Sequence, residues 1–101
     1  MGTDMFLKVH RAPDGAEVVA VCDRELLNTT IIHGEITIQI SENFYGNRPA
    51  SEKEVRNNLK DASNANLIGE RCVALAVEMG IVERSGCMML GKVPHAQVFR
   101  I

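Results

Sequence analysis

The chain has 101 residues, a formal net charge of -2, and 46% hydrophobic against 24% charged residues. That is one domain's length, enough to bury roughly two-thirds of its unfolded surface, with the composition of an ordinary globular protein. Seven acids stand against four bases before Ala50 and six against seven after it, which excludes a general polyanion-binding surface and leaves room only for a local basic patch.

No apolar run approaches the ~20 residues of a membrane span, and no signal peptide opens the chain, so a cytoplasmic protein without membrane contact is expected. Cys22, Cys72 and Cys87 cannot all pair, and none has CxxC spacing; they read as reduced thiols packed as small hydrophobes. One domain is expected over residues 1–101, with residues 1–4 an extension ahead of the apolar pattern that begins at Met5.

In chain order, Met5 to His10 reads as a strand and Pro13-Asp14-Gly15 as a turn: fixed φ, a side-chain acceptor, then free φ. Glu17 to Cys22 returns as a strand whose continuous apolar run suggests burial on both faces and a central place. Asp23 is placed to cap a short helical turn over Arg24 to Leu27, ending at Asn28. Thr30-Ile31-Ile32 is a brief strand, His33-Gly34 turns it, and Glu35 to Ile40 alternates with Ile36, Ile38 and Ile40 on one face. Ser41 to Pro49 is an irregular loop holding Phe44 and the single tyrosine, Tyr45.

Ser51-x-x-Glu54 is a capping box, followed by Val55, Leu59 and Ala62 at helical spacing: a surface helix. Asp61 to Asn64 interrupts it. From Asn64 to Gly80 the spacing predicts a second, central helix. Leu67, Ile68, Cys72, Leu75, Ala76 and Met79 share one side of it, and Gly80 closes it. Cys87 to Leu90 is a strand, Gly91 to Pro94 a reversal, and Ala96 to Ile101 the last strand. Five or six short strands with two consecutive helices late in the chain argue α+β, with a mostly antiparallel sheet covered on one face by the helices.

Three constellations are candidates for chemistry. The loop Asn43 to Arg48 sets Tyr45 beside glycine and two amides, suiting stacking and hydrogen bonding to a ligand. On the predicted central helix, Asn66 and Arg71 share a polar strip, and Gly69 costs about 1 kcal/mol against alanine in a helix interior, so close approach by another group is expected there. At the entrance to the last strand, His95 and Gln97 point to one face, with His95 a possible acid-base. Arg48, Lys53, Arg56 and Lys60, on or beside the first helix, would contact phosphates if the partner were a nucleic acid. His10, His33 and His95 lack metal-ligand spacing, so no metal is expected. No phosphate loop, GxGxxG or GxSxG occurs, and no cofactor is expected.

Met5-Phe6-Leu7-Lys8-Val9-His10, Val18 to Asp23, Phe44-Tyr45-Gly46, Ile68-Gly69-Glu70-Arg71 and Val93-Pro94-His95-Ala96-Gln97-Val98 together resemble an archaeal family, domain of unknown function 424. The resemblance runs from Met5 to Ile101, and its one departure is Cys72, where an aliphatic residue is expected. It implies a small cytoplasmic archaeal protein without assigned activity, and it supplies no catalytic residues. Three functions stay open. The first is a binding or adaptor module for an unknown macromolecule, RNA or ribosome-associated in one version. The second is a small enzyme with His95 as acid-base and Arg71 as anion clamp; the third is a homo-oligomeric structural subunit.

Overall fold

Met5–Arg11 (β1) and Glu17–Asp23 (β2) form an antiparallel hairpin in continuous register from Met5 opposite Asp23 to Arg11 opposite Glu17. Its turn works as the Pro-Asp-Gly sequence predicts. The Asp14 carboxylate accepts from the Ala16 N–H at 3.0 Å, and Gly15 takes φ +88°. The computed structural model describes residues 4–100. Of the expected extension, residues 1–3 lie outside the described residues, while the Asp4 carbonyl accepts from the Arg24 N–H at 2.8 Å.

Thr30–His33 (β3) and Ile36–Gln39 (β4) pair as a separate two-stranded sheet. Glu42–Tyr45 (α1) follows, then the two-residue strand Pro49–Ala50 (β5), which pairs with Met5 and Phe6 of β1. Glu52–Lys60 (α2) opens on the expected cap: the Ser51 hydroxyl accepts from the Glu54 N–H at 3.1 Å, worth about 1 kcal/mol. Although sparse in apolar residues, α2 buries Val55 and Leu59 completely.

Asn64–Ile68 (β6) is a strand, where the spacing predicts the first turns of a helix. It lies at the middle of the large sheet, parallel to β2 and antiparallel to Val93–Phe99 (β8). Leu67 and Ile68, side by side on a helical wheel, therefore enter two different cores. The helix itself, Glu70–Glu78 (α3), begins only after Gly69. A strand thus separates the two helices expected to be consecutive. Met88–Leu90 (β7) completes the six-stranded sheet, in the order β5-β1-β2-β6-β8-β7. All its pairings are antiparallel except β2 with β6, whose connection carries the small hairpin and two helices as a parallel pair demands. The α+β class and the largely antiparallel sheet are as expected.

Helices α2 and α3 cover one face of the sheet. There Leu7, Val19, Val21, Leu67, Val98 and the helix residues Val55, Leu59, Cys72, Val73 and Ala76 form the main core. The opposite face is covered only in part. Ile40 and Tyr45, with the half-buried Ile31 and Ile38, sit over Ala20, Cys22, Ile68 and Leu90. All three cysteines are free thiols; Cys22 and Cys72 are fully buried, and burial pushes the Cys22 thiol up to about 12. Among the described residues no helix is long and apolar enough to cross a membrane.

The junction of β6 and α3 rests on one contact. Gly69 takes φ +120°, ψ 153°, a conformation essentially reserved for glycine, and has no side chain with which to cap α3. Asp23, at the end of β2, supplies the cap from outside: its carboxylate accepts from the Arg71 N–H at 2.8 Å and the Cys72 N–H at 3.0 Å. A β-carbon on Gly69 would lie 2.3 Å from the Asp23 carboxyl carbon. The expected close approach at Gly69 is this one. Asp23 was expected to cap its own following turn, Arg24–Leu26, but makes no side-chain bond to it. Two N–H groups of a helix start offer a buried carboxylate more than one adjacent turn does.

Candidate functional site

The registers set the second sheet face in rows. His10 lies opposite Val18 and Asn64 opposite Phe99, and the parallel register of β2 with β6 extends by one residue to join the two pairs. The outer row is therefore His10, Val18, Asn64, Phe99, and the next is Lys8, Ala20, Asn66, Gln97. In the third, Phe6, Cys22, Ile68 and His95 run under the β3–β4 hairpin and α1. Cover thus thins from the third row to the first. Ala20 and Ile68 are fully buried, Asn66 and His95 are half-buried, Gln97 is exposed, and Phe99 is 75% exposed.

At the boundary between covered and open rows, the Asn66 amide oxygen accepts from the Tyr45 hydroxyl at 2.7 Å and from His95 Nε2 at 3.3 Å. Those two donors use both lone pairs of the amide oxygen. The Asn66 amide nitrogen and His95 Nδ1 are left for other partners. Tyr45 is 4% exposed, and burial holds its phenol well above the ordinary value, so it acts as a neutral donor that pins Asn66. Across the face, His10 stacks on Phe44 with ring centroids 4.9 Å apart and donates from Nε2 to the Phe44 carbonyl at 2.6 Å. Phe44 in turn meets Tyr45 edge to face.

Of the residues singled out from the sequence, Tyr45, Asn66, His95 and Gln97 come together here. Arg71 does not. It lies at the start of α3, on the helix-covered side, where its guanidinium is held by the Glu25 carboxylate and lines a hollow of about 310 Å³ with Met5, Leu75 and Glu78. The pairing keeps the Glu25 carboxyl below its ordinary value. The basic residues of the α2 region are dispersed. Arg48 pairs with Glu54, and Arg56 pairs with Glu52 and Glu78. Lys53 and Lys60 are exposed, and among the described residues neither makes an ion pair. Sequence reasoning missed Asn64 and Phe99, because their place on the open face depends on β6 being a strand.

Burial lowers the pKa of His95. The unfolded chain then takes up this proton more readily than the folded one. The stabilisation is complete above about 6.5 and is lost as pH falls from there through the lowered folded value. Urea melts at pH 7.5 and 5.0 are expected to show a larger acid loss for the wild type than for His95→Gln. Equal losses would mean that His95 titrates alike in both states.

A family described as "Protein of unknown function (DUF424)" matches residues 10–101. The chain belongs to this family. A crystal structure of an uncharacterised conserved protein from Methanopyrus kandleri is similar at 27% identity, with a TM-score of 0.76, over 96% of this chain and 94% of that one. No functionally curated protein matches the chain. The DUF424 fold is thus shared across nearly the full length of both chains.

Proposed function

We propose that this DUF424 protein is a binding module whose contact surface is the open end of the second sheet face. The observation that carries this is the outer two rows: Asn64, Asn66 and Gln97 present amides on neighbouring strands next to a 75% exposed Phe99. A lone exposed phenylalanine is ordinary. One set among three amides on a rigid sheet offers a stacking surface with hydrogen-bonding groups at its edge, which suits recognition of a planar polar partner. The Tyr45–Asn66–His95 bonds fix those groups before the partner arrives, so less ordering is lost on binding.

The enzyme reading has no such support. His95 and Arg71 open onto opposite sides of the sheet, and Arg71 is already clasped by Glu25. Self-association is the second reading, carried by Ile32, Met88 and Met89, which are 74%, 54% and 47% exposed on the hairpin and the edge strand β7. A monomer at high concentration in sedimentation removes it.

The test of the binding reading is co-purification from an archaeal lysate, with and without ribonuclease, comparing the wild type with Phe99→Ala. Phe99 is too exposed to hold the core, so the variant is expected to keep the wild-type thermal midpoint and lose the co-purifying partner. Identical partners for both proteins would remove the open face as the contact surface.

A further inference from the structure

We infer that the outer edge of β1 is a docking site for an extended peptide of another protein, taken up as a further strand of the large sheet. This edge is a second surface, separate from the open face and independent of it. β5 covers the edge only at Met5 and Phe6, and upstream of β5 the chain leaves it to form α1. The Leu7 N–H points outward, to the Arg48 carbonyl at 3.4 Å, whereas the Ala12 N–H points across the hairpin to the Ala16 carbonyl at 2.8 Å. Main-chain groups alternate along a strand, so Val9 and Arg11 turn their N–H and C=O outward like Leu7. Among the described residues no hydrogen bond reaches them on that side. Two N–H and two C=O groups thus stand open at the two-residue period of an extended chain. Only another extended backbone matches them all in turn.

The surroundings say which side chains the peptide carries. A hollow of about 520 Å³ lies along the edge, lined by Lys8 and Val9, by Asn43 on the α1 side and by Asn58 of α2. The uncovered stretch from Lys8 to Arg11 is about 14 Å long at the rise of a strand. A residue docked opposite Val9 has its side chain on the helix-covered side, where Val9 is 36% exposed, and an apolar group there covers it. Its neighbour opposite Lys8 falls on the other face. There the Lys8 ammonium donates to the Asn43 carbonyl at 3.0 Å and, among the described residues, makes no ion pair. Glu42, the one acid lining the hollow, is bonded to the Asn28 amide at 3.1 Å. An acidic residue therefore suits the place opposite Lys8. A second copy supplies none: β1 holds Lys8, His10 and Arg11 and no acid, so pairing edge to edge sets bases against bases. The edge at β7 offers less. Pro94, opposite Met89, gives its carbonyl to the Gly69 N–H at 3.0 Å, and only Met89 of that strand faces outward.

The probe is a displayed library of linear twelve-residue peptides selected on the full chain, with the most enriched peptide then synthesised and titrated by fluorescence anisotropy. Two N-methylated versions are compared, methylated at alternate residues in the two possible phases. A strand bonded along one edge uses every second N–H. One phase is therefore expected to weaken binding about tenfold or more, and the other by less than about twofold. Val9→Pro removes an N–H that no bond within the fold uses, a change edge strands accept, and is expected to weaken binding about tenfold or more. Met89→Pro on the other edge and Phe99→Ala on the open face are expected to leave it unchanged. The methylated pair is read on the wild type, so the result stands however Val9→Pro folds. Equal effects of the two phases mean docking through side chains and overturn the inference. Loss of binding in Met89→Pro but not in Val9→Pro overturns it too, as does a library that yields no peptide above the bare support. A dimer in sedimentation that Val9→Pro dissolves gives the edge to a second copy and overturns the peptide.

Discussion

Gly69→Ala is expected to lower unfolding stability by about 3–5 kcal/mol, the combined cost of forcing a side chain into a glycine-only backbone region and of overpacking a closed site. The new β-carbon would lie 2.3 Å from the Asp23 carboxyl carbon. Asp23 is 3% exposed and held by two N–H bonds, so it cannot simply swing into solvent. Either the β6–α3 junction opens or the cap is lost. The measurement is the urea midpoint against the wild type at unchanged slope. A loss under 1 kcal/mol would show that the junction yields cheaply.

The second large effect belongs to the other partner. Asp23→Ala removes both acceptors from the start of α3 and leaves the N–H groups of Arg71 and Cys72 facing a void, with Cys72 fully buried. A lost cap together with a buried unsatisfied donor is expected to cost about 2–4 kcal/mol. Asp23→Asn keeps one acceptor and should fall between. Burial raises the Asp23 carboxyl above its ordinary value, against the two N–H bonds that lower it. Its share of stability therefore declines as pH rises from about 3.8 through the raised folded value, and Asp23→Asn is expected to lose that decline. The two sites must couple. In the Asp23→Ala background the clash of Gly69→Ala with the carboxyl group disappears, and what persists is the 2.7 Å approach to the β-carbon of residue 23 together with the backbone strain of about 1–3 kcal/mol. Simple additivity in the double variant would show that the contact is not what fixes Gly69.

Much of the architecture was legible because it is set locally. The Pro13-Asp14-Gly15 turn needs only its own side chains, and β1 and β2 follow from it. The Ser51–Glu54 cap is likewise a matter of four consecutive residues. Gly69 could be marked as a close approach, since a glycine among helix-forming residues wants a reason, but the sequence could not say that Asp23 was the group approaching. Half of the candidate site was legible for a similar reason. His95 and Gln97 share a strand face by period alone, and Tyr45 stands out as the single tyrosine. Asn64 and Phe99 were not, since the value of each lies in the other being opposite it.

Asn-Ala-Asn-Leu-Ile is too short to tell a period of 2 from one of 3.6, and read with the helix that follows it extends that helix smoothly. What decides is hydrogen bonding to β2 and β8, segments that begin 47 residues earlier and 29 later. A strand in the middle of a sheet satisfies its backbone on both sides, and the side chains of Leu67 and Ile68 then fill two cores rather than one. The chain's own order of residues determined the α+β class, the hairpins, the Ser51 cap and the family. Only the tertiary structure decided that Arg71 and His95 part to opposite sides of the sheet, and that Asn64, Asn66, Gln97 and Phe99 meet on one. Strand pairing joins residues distant in the chain, and local propensity carries no record of which ones.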